Sequence, residues 1–139
     1  AILSKKEGQI MDLKENLYGL EHVGVPTADI EKTIAFYESL GFETALRTAT
    51  PDGAKVAFLK LGNVMVETYE SSEAAGRPGA IDHLALKARD LDAAFERVQS
   101  LGYELASNGI EFLPFWENGV RFFTFYGPNR EKIELSQIQ

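Results

Sequence analysis

The chain contains two histidines, and both stand in the same kind of setting, "EHVGV" around His22 and "DHLAL" around His83. Each lies in a short apolar run that reads as a β-strand. Alternate side chains of a strand share a face, so His83 groups with Ile81 and Ala85, opposite Leu84 and Leu86. A buried imidazole needs partners, and a single such histidine is ordinarily a hydrogen-bonded structural residue. Two glutamates follow the same logic. In "VMVETYE" Glu67 points away from the face of Val64 and Val66, and in "EKIELSQ" Glu134 is bracketed by Ile133 and Leu135. If the valine-type faces cover helices, His22, Glu67, His83 and Glu134 all fall on the opposite faces of their strands. Two imidazoles and two carboxylates suit one divalent metal ion, with water or substrate in its remaining positions. Ligand distances of ~2.0 to 2.2 Å fit zinc, nickel, cobalt, manganese or iron(II), with nickel, zinc or cobalt expected first. A dication also keeps two neighbouring carboxylates ionised where each would otherwise raise the other's pKa. One glutamate on a strand is usually a solvated residue; four ligand-type residues in equivalent places mark a site.

The elements that must position these residues repeat. Shifting the chain by 61 residues lays "LEHVGVPTADIEKTIAFYESLGFE" (20–43) over "IDHLALKARDLDAAFERVQSLGYE" (81–104) without a gap. His22 falls on His83, Asp29 on Asp90, Gly41 on Gly102 and Glu43 on Glu104. Ile30, Ile34, Tyr37 and Leu40 recur as Leu91, Phe95, Val98 and Leu101, one face of an amphipathic helix. Asp29 and Asp90 are N-caps, since their carboxylates accept from first-turn amides, and Gly41 and Gly102 suit the left-handed position past the last turn. Three strands are expected after each helix: "FETALRT", "AKVAFLKL" and "NVMVETYE" in the first half, "YELAS", "VRFFTFY" and "EKIELSQ" in the second. "PDG", "GN", "NG" and "GPN" supply the turns. The expectation is an α+β chain of two tandem βαβββ modules, about 18–70 and 80–137, joined by the small, polar linker "SSEAAGRPG" (71–79). A half of this size is marginal alone, so 1–139 is read as a single domain whose halves share a core.

Composition narrows the partners. A formal charge of −7 and no cluster of Lys and Arg argue against nucleic-acid or anionic-membrane surfaces, which leaves small-molecule substrates. No apolar run approaches the ~20 residues of a membrane span, and "AILSKKEGQIMDLKE" has no signal-peptide core, so a cytoplasmic location is the default. The absence of cysteine excludes thiolate metal ligands and a Cys nucleophile. The glycines form neither GxGxxG nor GxxxxGK.

The pieces "EHVGV" with "DIEKTIAFYESLGF", "LGNVMVETYE", "IDHLAL" with "DLDAAFERVQSLGY", and "FYGPNREKIEL" resemble the vicinal oxygen chelate superfamily over about Leu20 to Gln137. That superfamily includes lactoylglutathione lyases (glyoxalase I), methylmalonyl-CoA epimerases, extradiol dioxygenases and antibiotic resistance proteins. The resemblance implies an open curved barrel around the metal and makes His22, Glu67, His83 and Glu134 the ligands. A homodimer is expected of a small, acidic, duplicated unit with aromatics at "FLPFW", two-fold dimers being the commonest assembly, and the resemblance adds that sites can form between modules of one chain or of two. The chain departs from the pattern at "GPNR" (127–130), where many members have Asp-Pro-Asp-Gly. It lacks a basic residue just after His22, and it has Asp82 before His83 where epimerases commonly have a second His. Similarity to lactoylglutathione lyases points to Glu134 as the proton-transferring base, with Glu67 as second choice. The leading reaction is glyoxalase-type isomerisation of a 2-oxoaldehyde–thiol adduct to a 2-hydroxyacyl thioester. A methylmalonyl-CoA epimerase-type isomerase and a binding or resistance protein are the alternatives. For the thiol's carboxylates Arg47, Arg77, Arg121 and Arg130 are open, and "FLPFW" (112–116) is expected to wall the site or pack in a core or dimer.

Overall fold

Each half of the chain builds its helix from the same two signals. In the computed structural model, which describes residues 10–11 and 13–139, Asp29 accepts from the Lys32 amide ahead of Ile30–Ser39, and Asp90 accepts from the Ala93 amide ahead of Leu91–Ser100. Just past each helix Gly41 and Gly102 take positive φ, 101° and 79°, the conformation glycine adopts without a Cβ clash. The full order is α1 (Leu13–Asn16), β1 (Val23–Thr27), α2 (Ile30–Ser39), β2 (Glu43–Ala49), β3 (Lys55–Leu61), β4 (Val64–Glu70), β5 (His83–Lys87), α3 (Leu91–Ser100), β6 (Glu111–Leu113), β7 (Val120–Tyr126) and β8 (Lys132–Ile138). From β1 onward this is βαβββ twice, as the repeat predicts; the rest of the first polar stretch lies outside the described residues.

The strands form two four-stranded mixed sheets, ordered β1-β4-β3-β2 and β5-β8-β7-β6. In each, the first strand runs parallel to the last and the remaining neighbours are antiparallel. Among the described residues no strand of one sheet pairs with a strand of the other, so the barrel stays open and β1 and β5 are free edges. The helix-facing sides carry the core: Val66 and Leu59 from the first sheet, Phe123, Phe125 and Ile133 from the second, all fully buried.

One strand departs from expectation. "YELAS" makes a single bridge, Leu105 to Phe125, and the short outer strand β6 forms further on, inside the region expected to be an aromatic wall. The amides of Ala106 and Ser107 both converge on the Thr124 carbonyl, which puts two residues opposite one and ends the ladder. The Ser107 hydroxyl then donates to the Gly109 carbonyl, and Gly109 turns at φ 75°.

The two halves share one core, joined through α2. Phe36 packs on Tyr103 and Phe125 at ring-centroid distances of 4.9 and 6.2 Å. Beside them the Tyr37 hydroxyl donates to Glu131 Oε2 at 3.0 Å, and Asn129 Nδ2 donates to Thr33 Oγ1 at 2.8 Å. Burial, reinforced by the charge of Glu131 and by donation to it, pushes the Tyr37 phenol well above its ordinary pKa. The folded state therefore favours neutral Tyr37. Its contribution is complete below pH ~10, where the phenol is protonated in the unfolded chain too, and is lost as pH rises beyond that value. Denaturant melts across pH 9 to 11 should show a steeper alkaline loss in the parent than in Tyr37→Phe. The variant should also be less stable by about 1 to 2 kcal/mol at neutral pH, because Glu131 loses a buried donor.

Candidate metal centre

His22 immediately precedes β1, and Glu67 stands on β4 opposite Gly24, two residues further along β1. That register puts imidazole and carboxylate on one face, with Nε2 of His22 3.6 Å from Oε1 of Glu67. The other imidazole nitrogen, Nδ1, meets Oε1 of Glu21 at 3.2 Å. The ring rests edge-on to Phe58 at 5.8 Å, and Phe58 is the cross-strand partner of Glu67 on β3.

The second half reproduces this arrangement. His83 opens β5, Glu134 stands on β8 opposite Ala85, again two residues along, and Nε2 of His83 is 3.6 Å from Oε1 of Glu134. Nδ1 of His83 meets Oδ2 of Asp82 at 3.0 Å. Asp82 in turn accepts from Lys132 Nζ at 3.1 and 3.4 Å. The bond from His83, and after it the one from Lys132, holds the Asp82 carboxyl below the usual carboxylate range.

These contacts fit a cation. An ionised carboxylate only accepts, so each Nδ1 that meets Glu21 or Asp82 carries the proton, and the Nε2 of a neutral ring then bears a lone pair. In each half Nε2 faces a carboxylate oxygen across 3.6 Å, beyond hydrogen-bond reach. Two ligands each ~2.1 Å from a shared ion stand at most ~4.2 Å apart, so either pair can hold one ion between its members.

The structure brings the four residues together two by two. Among the described residues no group of three or more His, Asp or Glu converges on one metal position. The reason lies in the sheets: Glu67 and the residue before β1, His22, go with one, His83 and Glu134 belong to the other, and no ladder joins them among the described residues. The free edges β1 and β5 instead flank a cleft of about 450 Å³, lined by Tyr37, Glu131, His83 and the segment 75–80. Of the four arginines considered for the thiol's carboxylates, Arg47, Arg121 and Arg130 are engaged with Glu31, Asp92 and Glu104, and Arg77 lines the cleft. Phe112, Phe115 and Trp116 are exposed on β6 and the loop that follows it. The sequence reading missed the Asp82–Lys132 contact: strand parity puts Lys132 on the side of Glu134, but only the parallel register of β5 and β8 sets it across from His83.

Comparison with known proteins agrees with the repeat and the topology. The profile of the Glyoxalase/Bleomycin resistance protein/Dioxygenase superfamily matches residues 21–125, a span that includes His22, Glu67 and His83 and ends before Glu134. The uncharacterized protein YwbC of Bacillus subtilis (strain 168) is 29% identical over 126 residues, covering 85% of this chain and 96% of that protein. The mitochondrial methylmalonyl-CoA epimerase of Homo sapiens is 29% identical over 106 residues, 65% of this chain and 60% of the epimerase. Among solved structures, a glyoxalase family protein from Enterococcus faecalis superposes with a TM-score of 0.72 at 25% identity, covering 85% of this chain and 96% of that one. The fosfomycin resistance protein FosX of Listeria monocytogenes, complexed with Mn(II) and sulfate ion, shares the fold with a TM-score of 0.67 at 19% identity, covering 88% and 94%. No helix among the described residues is long and apolar enough to cross a membrane. By the match of more than half its length to that profile, the chain belongs to the glyoxalase/bleomycin resistance protein/dioxygenase superfamily.

Proposed function

We propose that the chain is a metal-dependent lyase of the glyoxalase I type, isomerising the adduct of a 2-oxoaldehyde and a thiol to a 2-hydroxyacyl thioester. The observation that carries this reading is the pair of His–Glu contacts, each 3.6 Å across and each backed by a carboxylate on Nδ1. His22, Glu67, His83 and Glu134 are the ligands for one divalent ion, with nickel, zinc or cobalt the expected occupants. When bound, the ion supplies Lewis acidity to the substrate's oxygens, which makes the neighbouring C–H acidic. Glu134 takes the proton from one carbon and returns it to the next, and Glu67 holds the opposite side of the site. Phe58 lies beside His22 and provides an apolar flank that excludes water.

Because the donors come two to a sheet, we infer that a complete set assembles between two copies of the chain, His22 and Glu67 from one and His83 and Glu134 from the other. A two-fold dimer then makes two equivalent sites.

The epimerase relative supports a second reading, in which the same proton transfer inverts the carbon next to a thioester carbonyl. Metal-reconstituted protein assayed with methylglyoxal plus glutathione or another thiol, and separately with methylmalonyl-CoA in deuterated water, decides between the two. Thioester formation supports the lyase. Deuterium incorporation into methylmalonyl-CoA without net isomer formation in the first assay supports the epimerase, and silence in both removes the proton-transfer reading.

A further inference from the structure

The two His–Glu pairs repeat one another, but the carboxylates behind the imidazoles do not. Glu21, behind His22, has a side chain 91% exposed and pairs with no lysine or arginine among the described residues. Asp82, behind His83, is tied to Lys132 through both carboxylate oxygens. Lys132 is the ladder partner of His83 across β5 and β8. In the first sheet Val23 pairs with Val66, so continuing that register one step back sets Met65 opposite His22, where no ammonium is available. Aspartate also has one rotatable bond fewer than glutamate, so less freedom is lost in fixing it.

We propose that Asp82, clamped by Lys132, is a positioning residue that fixes the ring and the Nδ1–H tautomer of His83, so that the His83–Glu134 pair captures a divalent cation before the His22–Glu67 pair does. This inference rests on the reading that His83 is a metal ligand. Its physical basis is general: a carboxylate on the far nitrogen of a ligating imidazole holds the ring in its binding orientation and raises the basicity of the other nitrogen, and losing it typically costs ~10- to 100-fold in metal affinity. An ion pair this exposed contributes little to folding. Its removal should therefore weaken metal binding and leave the stability of the metal-free protein unchanged.

The test is titration of the metal-depleted chain of residues 1–139 with Co(II) against a competing chelator, with the Co(II) absorption spectrum recorded in parallel. Asp82→Asn and Lys132→Met should each weaken Co(II) binding by about 10-fold or more and shift the Co(II) bands, Asp82→Glu should recover most of the affinity, and Glu21→Gln should change it by less than ~3-fold. Thermal midpoints of the metal-free variants should match the parent. If His83→Ala abolishes tight binding while Asp82→Asn and Lys132→Met bind and absorb like the parent, the positioning role is overturned and the metal reading stands. If His83→Ala binds Co(II) as the parent does, both fall. Equal losses in Asp82→Asn and Glu21→Gln would overturn the order of capture.

Discussion

Mixing two inactive variants should restore activity. His22→Ala and His83→Ala, each purified and metal-loaded, are expected to lose at least ~10²-fold in turnover, because each leaves every four-donor site with three ligands. If the sites form between chains, a mixed dimer carries both lesions at one site and none at the other. Random exchange makes half the dimers mixed, so about one quarter of all sites become intact and about a quarter of parental activity returns. If each site forms within one chain, every site in the mixture retains a lesion and nothing returns. The experiment reads the arrangement directly, because the donors meet in pairs in the single chain and no group of three or more forms among the described residues. Double variants placed in one chain, His22→Ala with Glu67→Gln mixed with His83→Ala with Glu134→Gln, should restore the same fraction.

Much of this was visible in the residue order, for identifiable reasons. Helix boundaries were legible because Asp29, Asp90, Gly41 and Gly102 act through contacts within a few residues of themselves. The sides of the strands were legible because parity is a local property: Val66 is fully buried against the helix layer and Glu67, its neighbour, turns to the other face beside His22. The outer strand of the second sheet was misplaced because "YELAS" has strand-like composition, while the bulge that ends its ladder depends on which carbonyl of β7 its amides reach. The relation between the two halves was the least legible. It is set by Thr33, Phe36, Tyr37 and Ser39 meeting Tyr103, Phe125, Asn129 and Glu131 across 64 or more residues of chain, contacts that no periodicity announces. The same holds for Asp82 and Lys132, whose meeting depends on the parallel register of β5 and β8.

Replacing Glu134 with glutamine should separate holding the ion from moving the proton. Glutamine keeps the size of the side chain and one carbonyl oxygen to offer a cation, but it has no basic carboxylate oxygen at neutral pH. Metal-loaded Glu134→Gln is therefore expected to retain much of its divalent ion, measured by elemental analysis after gel filtration, and to lose at least ~10²-fold in turnover, the scale of removing a general base. Glu67→Gln makes the matching control. Glu67 faces His22 as Glu134 faces His83, both at 3.6 Å, so a role confined to ligation predicts similar losses in the two variants. A base at Glu134 predicts that its variant loses turnover far beyond its loss of metal, while Glu67→Gln loses both in proportion. The asymmetry should also appear in exchange: Glu134→Gln should stop wash-in of solvent deuterium at the substrate carbon, and Glu67→Gln should slow it only as far as metal occupancy falls. Full turnover in Glu134→Gln would remove Glu134 from the chemistry, and a loss confined to Glu67→Gln would transfer the base to the first sheet.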